Sequence, residues 1–146
     1  MLRIDDKLTA QIRAHGAQTY PNECCGALLG RDHGEHREAV TLLPLANGRQ
    51  DSPGNRYAVA SEDVLRAEQT ARQRGLEVLG WYHSHPDHPA LPSEFDRAHA
   101  WPWYSYVIVS VEAGQPGTLA SWRLAADRVR FHHEEIEIRA LSGAEK

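Results

Sequence analysis

The stretch that most constrains this chain runs from Leu76 to Asp96: an apolar run ends in two histidines, and a carboxylate follows eleven residues after the second. Leu76 to Tyr82 is short, apolar and aromatic, which reads as a strand running into His83-Ser84-His85-Pro86. In a strand, residues i and i+2 share a face, about 6.6–6.8 Å apart along the backbone. His83 and His85 therefore project together and can converge on one ion, while Ser84 points away. Pro86 has no N–H to give to a ladder, so the strand stops there and the loop from Asp87 turns the chain back.

Ser93 to Asp96 reads as a helix start. Pro92 precedes a good N-cap residue, and Glu94 and Asp96 lie in the first turn, where carboxylates suit the helix dipole. Asp96 thus has two readings, a carboxylate capping its own helix or a third ligand brought back toward the histidines. Two histidines and one carboxylate with one open position form a catalytic zinc arrangement. The donor set suits zinc and leaves iron and cobalt open. The alternative for His83 and His85 is an exposed pair at a strand end, holding nothing.

Length and composition narrow the rest. At 146 residues, 41% hydrophobic and 25% charged, the chain has the make-up of one soluble domain spanning 1–146. A net charge of −4 with no basic run argues against nucleic-acid binding. No apolar stretch reaches membrane-spanning length, and Met1 to Asp6 has no signal-peptide character. The two cysteines, Cys24 and Cys25, are neighbours, and a disulfide between neighbours is strained. A reduced, cytoplasmic protein is the expectation. Of the nine histidines, His33 and His36 sit in a Gly-rich turn and His132 and His133 in a polar strand, where surface roles are expected.

Along the chain, Asp5 or Asp6 caps a first helix with Leu8 and Ile12 on one face, ending near Gly16. Ala27 to Leu29 reads as a buried strand closed by Gly30, with Glu23 just before it, either a surface carboxylate or something more. Cys25 reads as a small core residue, and Cys24 has no assignable partner. His36 to Leu45 is a strand, Asn47 to Asn55 a turn-rich loop, and Tyr57 to Val59 a short strand. Ser61 caps a helix that Gly75 terminates. Glu94 to Ala100 is a short helix, Tyr106 to Val111 a central strand, and Gly114 to Gly117 a turn. Thr118 to Leu124, Val129 to Phe131 and Glu135 to Arg139 complete an antiparallel meander. This order is α/β or α+β, built on one mixed sheet with two or three helices.

The motifs together resemble a known family. Pro21-x-Glu23-x-Cys25-Gly26-x-Leu28-x-Gly30 precedes Gly80-Trp81-Tyr82-His83-Ser84-His85-Pro86, and Pro92-Ser93-x-x-Asp96 follows. This arrangement resembles the JAMM family, also called MPN+ or JAB zinc metalloproteases, in its compact bacterial branch. The resemblance implies a curved mixed sheet of the MPN/JAB-like, cytidine-deaminase-like kind. It implies His83, His85 and Asp96 as zinc ligands, Glu23 as general acid/base and Ser93 as donor to the oxyanion, a role that competes with helix capping. It implies a substrate as well: a ubiquitin-like sulfur-carrier protein, cut after its C-terminal Gly-Gly. The bond would be a peptide, an isopeptide or an amide to cysteine. A non-catalytic scaffold of the same fold, or a zinc peptidase with an unrelated peptide substrate, is the alternative. A zinc deaminase needs a Cys-x-x-Cys pair, which Cys24-Cys25 does not provide. The carrier's extended tail would add to an exposed strand edge, bordered by Asn47 to Arg56 or Asp87 to Leu91.

Overall fold

A computed structural model describes residues 1–46 and 61–140. The loop expected at Asn47 to Arg56, the strand at Tyr57 to Val59 and the end from Ser142 lie outside the described residues. The element order is β1 (Leu2–Asp5), α1 (Asp6–Thr19), β2 (Cys25–Asp32), β3 (Arg37–Leu45), α2 (Ser61–Gln73), β4 (Glu77–Pro86), α3 (Glu94–Ala98), β5 (Ser105–Glu112), β6 (Gln115–Leu124), β7 (Phe131–Glu134) and β8 (Ile136–Arg139). The strands form one mixed sheet in the order β7-β6-β5-β4-β2-β3-β1-β8. β4 runs parallel to β5, and β1 runs parallel to both β3 and β8; the other pairs are antiparallel.

Each face of the sheet buries its own apolar cluster. Leu8 and Ile12 of α1 pack with Leu28, Tyr82, Val107, Val109 and Val111 on one face. Ala67 and Ala71 of α2 pack with Ala27, Leu29, Val78, Trp81 and Tyr106 on the other. Cys24 belongs to the first cluster and Cys25 to the second. Burial pushes their thiols up to about 11 and about 12. Both are inert core residues, as expected for Cys25.

Besides shifted bounds, with β6 opening at Gln115 inside the turn read at Gly114 to Gly117 and β7 opening only at Phe131, three local readings change. Asp5 is the N-cap of α1, its carboxylate accepting from Leu8 N at 2.8 Å, but the helix runs through Gly16 to Thr19. Gly16 is there for space: a Cβ on it would stand 3.0 Å from Val111 Cγ2 and 3.2 Å from Ser84 Cβ. Its small size lets α1 lie close on β4 and β5. By contrast Gly75, with φ +69°, does end α2, and Leu76 N closes back on Ala71 O at 2.8 Å.

The second change is β1, which the sequence reading places in no strand. The third is the end of the chain. The meander stops at β7, and β8 crosses to the opposite edge beside β1. One residue, Glu135, links the two, so the sheet must curl until its edges meet. Leu2 N donates to Glu135 O at 2.9 Å across that seam.

Candidate metal centre

β4 carries the two histidines at its end, and a bulge decides which way they face. Leu28 pairs with Gly80 and Leu29 with Val78, leaving Leu79 as the extra residue. Beyond it Trp81, His83 and His85 share the α2 face, while Tyr82 and Ser84 share the α1 face. The Ser84 hydroxyl accepts from Cys24 N at 2.8 Å, and Ser84 N donates to Cys24 O at 3.2 Å. These bonds carry the β2–β4 pairing one residue past Cys25 and His83. Glu23 then falls level with His85 and on its face. Glu23 is buried and its charge reaches His85.

The loop after Pro86 returns the chain to Ser93, the N-cap of α3. Here a reciprocal box forms: Asp96 N donates to Ser93 Oγ at 3.0 Å, and Ser93 N donates to Asp96 Oδ2 at 2.8 Å. The cap is therefore present, and the same side chain also faces the histidines. One carboxylate oxygen caps the helix while the pair faces the histidines. His83 Nε2 lies 3.3 Å from Asp96 Oδ1, His85 Nε2 lies 3.2 Å from Asp96 Oδ2, and the two Nε2 atoms are 3.1 Å apart. All three residues are buried.

The ring contacts fix one tautomer. His85 Nδ1 lies 2.9 Å from Pro89 O, which can only accept, so Nδ1 carries the proton. In a neutral His85 that leaves Nε2 as a lone pair facing a carboxylate and a second imidazole. His83, His85 and Asp96 thus bring three potential donor atoms together and fit a metal site. The three groups also act strongly on one another's charge. Burial lowers His83 against the opposing pull of Asp96. For His85 burial also lowers, but the hydrogen bond and charge of Asp96 prevail and raise it. Burial would push Asp96 up, yet the two histidines and Ser93 N–H hold its carboxyl well below the usual range.

Glu23 stands beside this group but outside its convergence. Ser93 sits at the rim of the same α3 turn. The Asp87 to Leu91 loop, expected at the border of the cleft, does pack on the site, through Pro89 O and through His88 N to His85 O at 3.4 Å. His33 lies against Glu38, His36 against Arg3 and His133 against Trp122, each away from the site. What the sequence reading missed is main-chain: the Pro89 carbonyl has no residue signature that could have announced it.

A curled mixed sheet with a group fit to hold a metal at the end of a central strand is the arrangement of the JAB type. Residues 5–125 match the family model described as prokaryotic homologs of the JAB domain, and the chain belongs to that family. It is 31% identical to a desampylase of Haloferax volcanii over 72% of this chain and 74% of that protein. It is 34% identical to a probable TtuB-protein conjugate cleaving protease of Thermus thermophilus, over 77% of this chain and 72% of that one. A solution structure of a Desulfitobacterium hafniense protein superposes with a TM-score of 0.84 at 33% identity, covering 96% of this chain and 94% of that one. The chain is accordingly a hydrolase of the JAB family. No helix among the described residues is long and apolar enough to cross a membrane.

Proposed function

We propose that this protein is a zinc-dependent isopeptidase. It hydrolyses the amide bond after the C-terminal Gly-Gly of a ubiquitin-like sulfur-carrier protein. The observation that carries the reading is the convergence of His83, His85 and Asp96 with Glu23 beside them. Zinc with bonds of about 2.0–2.1 Å in tetrahedral array sets its donors about 3.3–3.4 Å apart. The two Nε2 atoms are 3.1 Å apart, and each has a different oxygen of Asp96 at 3.2–3.3 Å, so one atom from each residue can be drawn onto a single ion. The two relatives named above support the substrate class, since one is a desampylase and the other a conjugate-cleaving protease.

Bound there by His83, His85 and Asp96, zinc would supply a Lewis acid that makes water a nucleophile near neutral pH. The chain's own groups do the rest. Glu23, held on the face of His85 by the β2–β4 pairing, takes the proton of the attacking water and passes it to the leaving amine. The Ser93 hydroxyl uses a lone pair to cap α3 and its proton to donate to the developing oxyanion. Glycine at the last two positions of the tail lets its backbone approach the ligands, so cleavage follows Gly-Gly.

The test is a linked pair of measurements. Metal analysis of the wild type should give one zinc per chain, and His85→Ala should lose it. Intact-mass analysis should show a carrier–target conjugate cut after Gly-Gly, and tails with valine at either glycine left whole. Equal zinc in both proteins would overturn the ligand assignment. A conjugate left intact by the zinc-loaded protein, or equal cleavage of the valine tails, would overturn the substrate.

A further inference from the structure

The loop after β4 presents three successive carbonyls, and each takes one side-chain donor. Ser110 Oγ donates to His88 O at 2.6 Å, His85 Nδ1 donates to Pro89 O at 2.9 Å, and Trp122 Nε1 donates to Ala90 O at 3.1 Å. The outer two donors come from different strands. Ser110 stands beside His85 in the parallel β4–β5 register, and Trp122 lies one strand further out on β6. Ala90 is 6% exposed, so its carbonyl end of the loop is sealed from solvent. Upstream, Asp87 is held in a left-handed backbone (φ 59°) by Tyr20 Oη and Ala113 N, at 2.6 and 2.8 Å from its carboxylate. The loop is thus pinned on both sides of the one carbonyl that the histidine uses.

We propose that Trp122 is a positioning residue for the metal centre: by holding Ala90 O it aims the Pro89 carbonyl at His85 Nδ1, and so turns His85 Nε2 to the ion. The inference rests on His85 being a ligand, as the proposed function has it. The physical reason is the length of the lever. Proline fixes φ at position 89, so rotation at the Pro89–Ala90 link is the remaining way for the Pro89 carbonyl to turn. The indole N–H and the Ser110 hydroxyl hold the peptide planes on either side, so the Pro89 carbonyl cannot turn by carrying its neighbours with it. A ligating histidine whose second nitrogen is well held keeps its tautomer and ring plane, and losing such a partner costs about 10–100-fold in metal affinity or activity. Trp122 acts one bond further away, so the lower end of that range applies.

The experiment compares wild type, Trp122→Phe and Ser110→Ala, each as the full chain. Phe keeps an aromatic ring beside His133 and removes the donor together with the volume of the fused ring. Zinc affinity is read by competition with a chromophoric chelator, and His85 Nδ1–H exchange with water by nitrogen-15 NMR of the zinc-loaded protein. The expected result for Trp122→Phe is zinc binding weaker by about tenfold. The His85 ring proton should exchange at least about tenfold faster, and kcat should fall with KM unchanged. The visible spectrum of the cobalt-substituted protein should shift. Unchanged zinc affinity and unchanged ring-proton exchange in Trp122→Phe would overturn the proposal. Should Trp122→Phe fail to fold, Trp122→Leu, which also lacks the donor, is read by the same two measurements, and no change in either overturns the proposal equally. Because wild-type zinc binding and its loss in His85→Ala are measured separately, failure of this inference is distinguishable from failure of the ligand assignment.

Discussion

At the scale of single residues, the proposed chemistry separates groups that hold an ion from groups that move a proton. Glu23 is buried, its charge reaches His85, and it lies outside the donor convergence, as a base beside a metal would. Glu23→Gln keeps the shape and removes the proton acceptor. Hydrolysis should fall by about 10²–10⁴-fold, while zinc content by metal analysis stays at the wild-type level. Loss of zinc in that variant would make Glu23 a ligand. Ser93→Ala tests a hydroxyl with two ends. Its lone pair caps α3, so melting should show a loss of about 1 kcal/mol. Its proton is assigned to the oxyanion, so turnover should fall by about 10²–10³-fold. Stability lost with turnover intact would leave Ser93 a cap alone. The shared face of His83 and His85 was legible because it follows from the two-residue period of a strand. The Asp96 cap was legible from its place in a first turn, but cap and approach to the histidines were read as alternatives, and the structure combines them. The level of Glu23 was not, because it depends on register between strands some sixty residues apart.

At the scale of elements, β4 is held where it is by what its glycine leaves out. A Cβ on Gly80 would stand 1.8 Å from Ser105 O and 2.7 Å from Ser105 N, both main-chain atoms of the neighbouring strand. Backbone cannot swing aside as a side chain does, so Gly80→Ala must part β4 from β5 next to the histidines. Overpacking of a well-packed core costs about 1–3 kcal/mol, and this contact belongs at the top of that range. The melting temperature should drop by roughly 6–12 °C, measured by circular dichroism on the metal-free protein. An unchanged melting temperature would mean that the strands separate there at no cost. In sequence Gly16 reads as a helix stop, because glycine does end helices. Glycine also marks close approach, and that depends on a partner strand the local sequence does not name. The bulge at Leu79 escaped for the same reason, although it sets the face of the histidines.

At the scale of the whole molecule, the curled sheet needs something to hold its two edges together. The local patterns at Leu2-Arg3-Ile4 and Glu135 to Arg139 give, at most, short strands; nothing in either stretch says that they pair in parallel with each other. The buried charges at the seam show how the join is stabilised. Glu134 is 5% exposed and accepts from Ser121 Oγ at 2.8 Å. Its other oxygen faces the Met1 α-amino group at 3.7 Å and Arg123 Nη1 at 3.5 Å, so one carboxylate ties β7 to the start of β1 and to β6. Glu134→Gln keeps an acceptor for Ser121 but leaves two cations without their anion. Breaking a fully buried pair costs about 3–5 kcal/mol. Met1 and Arg123 are each about a third exposed, so water offsets part of that and about 1–3 kcal/mol remains. Urea melts should show that loss, and thermal melts a fall of roughly 3–10 °C. Ser121 faces the α1 side, opposite the histidines, so zinc content and turnover well below the melting temperature should match the wild type. A double-mutant cycle with Arg123→Met separates charge from packing. If the seam is ionic, the two losses should overlap by at least about 0.5 kcal/mol. Strictly additive losses would show that the edges are joined by the Leu2–Glu135 backbone bond and apolar packing, with the carboxylate a bystander.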